Sequence, residues 1–555
     1  MGTSITVVEV HQDRTDDTSV LSKPTPTVRP GFTRSESTLV AQELDEKIVK
    51  SSLDTKLYTE TAEEHNPEAQ KESTEPEIGK LSSWKGALIL LVTAGAMFMD
   101  NVFITSINIA LSDVQEEFSI QSSELQWMIS AYTLAFGGCL LLSGVLSDRY
   151  GRKPMLIAGL IWLSIWTLAI GFTSSFIQMT VFRGLQGMGA AFTIPSAVGI
   201  ISSYFTGQDR TRALGIYAAS GAVGFTAGLV LGGLLSSSLG WRYIFRLSVI
   251  VSALLAILGF IALPSTPIKK HSKSRMDFLG AFLSTAGLIL LAFVLSGGGV
   301  YGWGKAFIVV LLILSVTLLV TFVVYESKIS NPIMPLSLWK IRNFASLWVC
   351  GFAVNGSYTT VLYYTVLISQ QVDKLSPLET AIRFIPSGVL GFVVTLATTR
   401  AIESFDGKYI LITGLLFEVL APLPSCLLSS SNFWVNVMPT SFLSITGISI
   451  AYITCSTLML VNAPMNVKSL CGGMINTAYQ IGGGVSLAIC SAVVQGIDIN
   501  KDHDVAQQYT TGLWCTSVIA GIGLIFAVFF LKNDHSASMK SSSETSRAEI
   551  LEHMA

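Results

Sequence analysis

The sequence predicts an all-helical polytopic membrane protein of about fourteen spanning helices, and three observations carry that prediction. Half of its 555 residues are apolar and only 13% are charged, where a soluble domain carries about a quarter charged residues. The apolar residues gather into runs of roughly 20, enough at about 1.5 Å per residue to cross a hydrocarbon layer about 30 Å thick. Lys and Arg then fall on alternate connections between the runs, as the positive-inside rule requires. A net charge of -2 gives no reason to expect nucleic acid or another strongly charged partner.

Residues 1–83 are polar, rich in Ser, Thr, Glu and Lys, and contain no apolar run of signal-peptide length. They are expected to form a disordered cytoplasmic tail, so the first spanning helix must itself target the chain. Apolar segments of helical length follow at about 85–110, 127–147, 154–173, 177–204, 212–236, 242–264, 278–297, 305–325, 344–369, 378–400, 408–428, 433–460, 470–496 and 512–531. Gly, Pro, Asn, Asp or clustered charge separates them. With the first tail inside, the inner connections hold Arg149, Arg152, Lys153, Arg210, Arg212, Lys269, Lys270, Lys273, Arg275, Lys328, Lys340, Arg342, Arg400, Lys408 and Lys468. The outer ones hold Arg242, Lys305, Lys374 and Lys501, a bias of about fifteen to four. Both termini are therefore expected in the cytoplasm, the second as a tail at 532–555.

Several chemistries are excluded by what the chain lacks. Its seven cysteines all lie within or at the edge of apolar runs, so no disulfide framework is expected. The Asn355-Gly356-Ser357 sequon lies inside an apolar run, beyond the reach of a glycosyltransferase. None of the six His residues sits near a second His or Cys at metal-ligand spacing, so neither a metal site nor a cofactor is expected. Without a Gly-x4-Gly-Lys-Ser/Thr pattern, the energy for transport must come from an ion gradient. No nucleophile and base stand at a recognisable spacing, so the chain is not read as an enzyme.

Inside the apolar runs, charge is the informative exception, because an intramembrane acid costs a few kcal/mol and must find a partner or a task. Asp100 lies about 24 Å above Trp84, hence about 6 Å below the outer edge of the hydrocarbon layer. Arg183, on a segment descending from the outer face, lies about 10 Å below that edge. Their matching depths predict an Asp-Arg contact that protonation of Asp100 would break, although a permanent packing pair is the alternative. Asn101, Thr105 and Asn108 repeat at i, i+4 and i+7, a polar stripe that either faces a cavity or bonds to neighbouring helices. Gly224, Gly228 and Gly232 place three glycines on one face for close helix packing or sliding. Glu418 falls about 15 Å from Lys408, near the midplane, where it is either a proton site or a structural partner.

The segment from Leu146 to Lys153 (LSDRYGRK) has a worn copy between Arg400 and Lys408 (RAIESFDGK). Two six-helix copies, residues 84–264 and 344–531, would then flank an inserted helix pair and cytoplasmic linker at 265–343.

Gly144-Val145-Leu146-Ser147-Asp148-Arg149-Tyr150-Gly151-Arg152-Lys153 closely resembles the signature loop of the major facilitator superfamily. Asp100-Asn101 leading to Asn108-Ile109-Ala110-Leu111, the stretch Arg183 to Ala191, the glycines ending at Gly232-Gly233, Gln126-Trp127, Ala131-Tyr132 and Asn476 to Gly483 resemble its fourteen-span drug:proton antiporter branch of fungal type. The likeness covers residues 84 to 531. It implies two halves rocking about a central site, with proton-coupled export of a drug, toxin or secondary metabolite. It implies a cytoplasmic gate at Gly144, Asp148, Arg149, Gly151, Arg152 and Lys153. It adds Gln186, Asn355, Tyr358, Asn476 and Gln480 to the substrate cavity, and places the helix of Glu418 at the perimeter. Leu229 follows Gly228 where these antiporters carry Pro, and Ser248 and Ile250 stand where an Asn and a Pro are usual. Two other readings stay open: a dedicated carrier of one metabolite or inorganic species, and a transport-dead sensor that signals through its tail. The partners implied are a small molecule, protons and the bilayer. The protein is expected as a monomer in the plasma membrane, with the vacuolar membrane as the alternative.

Overall fold

The computed structural model describes residues 79–533 except 265–276, 330–331, 428–431, 465–466 and 499–504. The expectations for the two tails and for the cluster Lys269 to Arg275 fall almost entirely outside these residues.

Fourteen long helices follow one another among the described residues. They are α1 (Trp84–Ile109), α2 (Trp127–Tyr150), α3 (Arg152–Ile170), α4 (Phe176–Tyr204), α5 (Gly207–Ser238), α6 (Arg242–Ala262) and α7 (Phe278–Tyr301). Then come α8 (Ala306–Glu326), α9 (Phe344–Leu367), α10 (Pro377–Ser404), α11 (Gly407–Leu420), α12 (Val437–Asn462), α13 (Lys468–Asp498) and α14 (Val505–Phe529). Among the described residues, thirteen helices are long and apolar enough to cross a membrane. α9 has the length, but Asn355, Ser357, Tyr358, Thr359 and Thr360 lower its mean hydropathy.

Local chemistry sets the ends. Ser83 and Ser175 each accept a bond from a first-turn amide, of Gly86 and Gln178. Ser376 and Glu379 form a reciprocal capping box in front of Pro377, which satisfies two otherwise orphaned donors. The sharp joint between α2 and α3 is Gly151 at φ +99°, a conformation that a side chain disfavours.

The helix pairing is twofold. α1 packs on α4, α5 and α6, α2 on α4, and α3 on α4 and α6. Eight helices later, α9 packs on α12, α13 and α14, α10 on α12, and α11 on α12 and α14. Two seams join these halves, α2 with α13 and α5 with α10, and they too exchange under the same relation. The inserted α7 lies against α2 and α13, and α8 packs chiefly on α7. α8 consequently turns Val309, Val310, Ile313, Val316, Val320 and Val324 outward, as a helix at the lipid boundary should.

The apolar cores differ between the two ends of the bundle. At the end carrying Glu117, one continuous core joins Ile107, Ile109 and Met128 of the first half to Val361, Leu367 and Phe384 of the second. Toward the Asp148 end the core divides. One part belongs to the first half, around Leu156, Ile200 and Tyr204. The other belongs mainly to the second, around Phe344, Leu458 and Met474. Four hydrogen bonds also join the halves at the Glu117 end: Ser130 to the Gly484 carbonyl, Gln370 to the Ile109 carbonyl, Gln371 to Gln115, and the Leu378 amide to Ser237.

Candidate functional site

Asp100, on α1, is 4% exposed, and Arg183, on α4, is wholly buried. The expected direct contact between them is replaced by a relay through Tyr132 of α2. The Tyr132 hydroxyl donates to Asp100 Oδ1, while the Arg183 guanidinium lies over the Tyr132 ring, 4.5 Å from its centroid. Two further bonds hold Arg183. Nε donates to the Met128 carbonyl at 2.8 Å and Nη1 to Gln186 Oε1 at 2.7 Å. Gln186 in turn donates to the Thr167 hydroxyl of α3 at 2.7 Å. Nη2 meets no protein acceptor. A desolvated cation over an aromatic face gains about 2 kcal/mol, and hydrogen bonds to charged groups contribute about 1.5–3 kcal/mol each. One cluster thus offsets the cost of two buried charges and ties together α1, α2, α3 and α4. Its acceptor strength depends on whether Asp100 is ionised, so a single proton can change what holds these helices together.

Two further tyrosines lie on the central helices, Tyr217 on α5 and Tyr452 on α12. The Tyr217 hydroxyl is buried without a hydrogen-bond partner. Tyr452 stacks on Tyr479 of α13, ring centroids 4.2 Å apart, and donates to Asn476 Oδ1 at 3.3 Å. Sequence reasoning did not assign roles to Tyr132, Tyr217, Tyr452 or Tyr479, because tyrosine is common in spanning helices and its spacing carries no signal.

The remaining cavity candidates separate by environment. The Thr105 hydroxyl bonds the Phe225 carbonyl at 3.1 Å and so sits in the contact between α1 and α5. Asn101 and Asn108 donate back to their own helix, to Met97 and Ile104. Gln186 is enclosed between α3 and α4, where it orients Arg183 instead of facing open space. Asn355 bonds the Tyr479 carbonyl at 2.7 Å, and Gln480 lies on the seam between α2 and α13 beside Gly137. Tyr358 lines a small cavity between the halves, with Phe225 of α5, Phe384 and Ser387 of α10 and Ser444 of α12.

The glycine row of α5 receives α1. A Cβ at Gly224 would lie 2.4 Å from the Phe98 carbonyl, and one at Gly232 would lie 2.8 Å from that of Ser106. Gly233 points the other way, toward Ala381 of α10. In the signature loop, Arg152 donates to the Gly199 carbonyl near the end of α4, and Lys153 to that of Leu263 after α6. Both brace the first half internally. Arg149 lies 5.9 Å from the centroid of the Tyr150 ring, and open space adjoins Gly144. The Asp148 backbone lies in the last turn of α2, and its side chain is outside the described set. Glu418 is fully buried and accepts bonds from Ser357 of α9 at 3.0 Å and Ser444 of α12 at 3.2 Å. Its helix turns Leu416 and Leu420 outward, yet the carboxylate itself points into the second half.

The protein-family model described as "Major Facilitator Superfamily" matches residues 89–487. The "multidrug transporter mfsC" of Aspergillus fumigatus is 29% identical over 73% of this chain and 79% of its own length. The "Low affinity ammonium transporter" of Saccharomyces cerevisiae is 24% identical over 76% of this chain and 84% of its own. Among solved structures, the human organic anion transporter MFSD10 superposes with a TM-score of 0.57 at 14% identity, covering 80% of this chain and 99% of that one. With the signature loop, the doubled helix pairing and the match over most of its length, the chain belongs to the Major Facilitator Superfamily and is a multi-pass membrane transporter of small molecules.

Proposed function

We propose that the protein exports drugs, toxins or secondary metabolites in exchange for protons, by alternating access, with Asp100 as the group that takes up the proton. The observation that carries this reading is the buried relay from Asp100 through Tyr132 to Arg183. A proton on Asp100 removes the charge that the Tyr132 hydroxyl stabilises and so alters the platform beneath Arg183. The positive-inside bias makes the Asp148 end cytoplasmic, and the continuous core at the Glu117 end then corresponds to an inward-facing state. Residues 84–264 and 344–531 act as the two rocking bodies, 265–343 as an appended pair with its linker, and the signature loop as the gate that closes in the opposite state. The protein works as a monomer in the plasma membrane with both termini in the cytoplasm. The kinship with a multidrug transporter supports export.

The test is flux in reconstituted vesicles, with ethidium as the probe and an imposed proton gradient as the drive. The wild-type protein concentrates ethidium, and Asp100→Asn does not. Coupled flux that survives this substitution overturns the assignment. A second reading, a dedicated carrier of an inorganic species, is favoured by the ammonium-transporting relative. Gradient-driven movement of labelled methylammonium, with none of ethidium, would select it.

A further inference from the structure

The structure assigns a second proton-binding site to Glu418, in the half of the molecule that lacks Asp100. This inference deepens the proton-coupled reading above and rests on it, because a second acid matters only to a carrier driven by protons.

Glu418 is wholly buried, and the packing around it is too close for water to surround the carboxylate. Gly447 of α12 faces it, where a Cβ would fall 2.8 Å from Glu418 Cγ. Gly414, one turn earlier on α11, lets the backbone of Ala451 approach in the same way. These two glycines draw α11 and α12 together and enclose the acid between them. Its side-chain partners are the Ser357 and Ser444 hydroxyls, and the Ile448 amide of α12 approaches it as well. Among the described residues no cation acts on it. The three helices packed most closely on α11, namely α9, α12 and α14, contain no Lys, Arg, His, Asp or Glu along their entire lengths. The titratable groups they offer are uncharged: Cys350, Tyr358, Tyr363 and Tyr364 on α9, Tyr452 and Cys455 on α12, and Tyr509 and Cys515 on α14. On the more distant α10, Arg383 lies over the Phe433 ring, 5.4 Å from its centroid, and the remaining charges, Glu379, Arg400 and Glu403, stand near the helix ends. On α11 itself the other charge is Lys408, in the first turn.

A carboxylate enclosed without a cation is far costlier than the neutral acid. Asp100 has Arg183 in its cluster, whereas Glu418 has hydroxyls that can serve either protonation state. In this conformation Glu418 therefore holds a proton. A route for its release lies beside it. Ser444 bonds Glu418 and also lines the small cavity between the halves, opposite Phe225 of α5. Separation of α5 from α9, α10 and α12 would admit water to that cavity, stabilise the ionised form and let the proton leave through Ser444. Glu418 thus loads and unloads with the same rocking motion that exposes Asp100.

Infrared spectroscopy of the full-length protein in lipid tests this without a substrate. At neutral pH the wild type should show the carbonyl stretch of a protonated carboxylic acid, lost in Glu418→Gln and retained in Asp100→Asn. The band should fade reversibly as the bath is made alkaline while the protein stays folded. Ser444→Ala removes a donor to the ionised form, so in that variant fading should move to a more alkaline bath. This second variant decides the matter if Glu418→Gln fails to fold. A spectrum unchanged by Glu418→Gln, or a band that persists until the protein unfolds, overturns the inference, the latter by showing a purely structural acid. The readout involves no flux, so its failure leaves the Asp100 assignment standing. Failure of Asp100-dependent flux, conversely, leaves the band to be explained.

Discussion

Tyr132 makes one unit of two charges that would otherwise be separate problems, since its hydroxyl meets Asp100 and its ring carries Arg183. Tyr132→Phe separates these roles, because it keeps the ring and removes the donor. A hydrogen bond to a charged group contributes about 1.5–3 kcal/mol, and each 1.4 kcal/mol is about a factor of ten. Proton-driven ethidium flux should therefore fall by about tenfold or more in Tyr132→Phe, and the melting temperature in detergent should fall with it, because the ring still fills its place but the buried Asp100 carboxylate loses a donor. Flux equal to the wild type would show that the hydroxyl plays no part in coupling. The charges themselves were legible in the sequence, because a lone Asp or Arg within an apolar run must find either a partner or a task. Their mediator was not. Tyr132 lies 32 residues from Asp100 in the chain, and only the contact of α2 with α1 and α4 brings the three together. Gln186 was misjudged for a related reason: a polar side chain in a central helix reads as facing a cavity until its neighbour on α3 is seen to satisfy it.

At the scale of helices, the α5 glycine row makes a graded prediction. A Cβ at Gly228 would fall 1.9 Å from Thr105 Oγ1 and 2.9 Å from the Val102 Cα, so Gly228→Ala forces α1 and α5 apart. Overpacking of this kind costs about 1–3 kcal/mol. Gly215, on the same helix, adjoins open space, so Gly215→Ala should keep or raise stability, by up to about 1 kcal/mol, because Ala is the better helix former. Thermal unfolding in detergent compares the two, and an equal gain in both variants would show that helix propensity, not contact with α1, decides the stability of α5. The four-residue spacing made this face legible, but not that α1 is the helix it receives. A second contact ties the short helix Leu111–Phe118 to α6. Arg242 donates to the Glu117 carboxylate, Trp241 joins it at 2.7 Å, and a second Arg242 nitrogen reaches the Thr173 carbonyl. Burial opposes ionisation of Glu117, but the Arg242 and Trp241 bonds outweigh it and hold the carboxyl below its usual range. A depressed carboxyl stabilises the fold at pH above the ordinary carboxylate range and loses that contribution as pH falls through its folded-state value. Arg242→Ala should therefore melt below the wild type at neutral pH, with the gap closing as the buffer is acidified. A gap independent of pH would mean that Arg242 acts through its stacking on Trp241, 4.4 Å away, and its bond to the Thr173 carbonyl, and not through Glu117.

The described helix bundle is held unequally at its two ends, as the rocking motion proposed above requires. One core and four hydrogen bonds unite the halves at the Glu117 end, and the core divides toward the Asp148 end. The sequence foretold two copies from the repeated loop, and hence the twofold order of the helices. It did not foretell which helices form the seams, because seam residues such as Gly484 and Ser130 are small and polar like many others in these spans. Nor did it foretell which end is closed, since one chain must serve both states and its composition favours neither. The seam at α5 and α10 gives a direct test of motion. The Leu378 amide donates to Ser237 Oγ at 3.1 Å, and a Cβ at nearby Gly233 would lie 3.1 Å from Leu378 Cα. The Ser237 side chain thus touches the Leu378 backbone, which makes 237 and 378 the positions for a cysteine pair across this seam. Oxidation of Ser237→Cys/Leu378→Cys should fasten the Glu117 end and stop ethidium flux, and dithiothreitol should restore it, while each single variant transports in either buffer. The native cysteines are buried or half-buried, so the new pair is the one expected to respond. Full transport by the cross-linked protein would mean that this end need not open, and alternating access through separation of α5 from α10 would then be wrong.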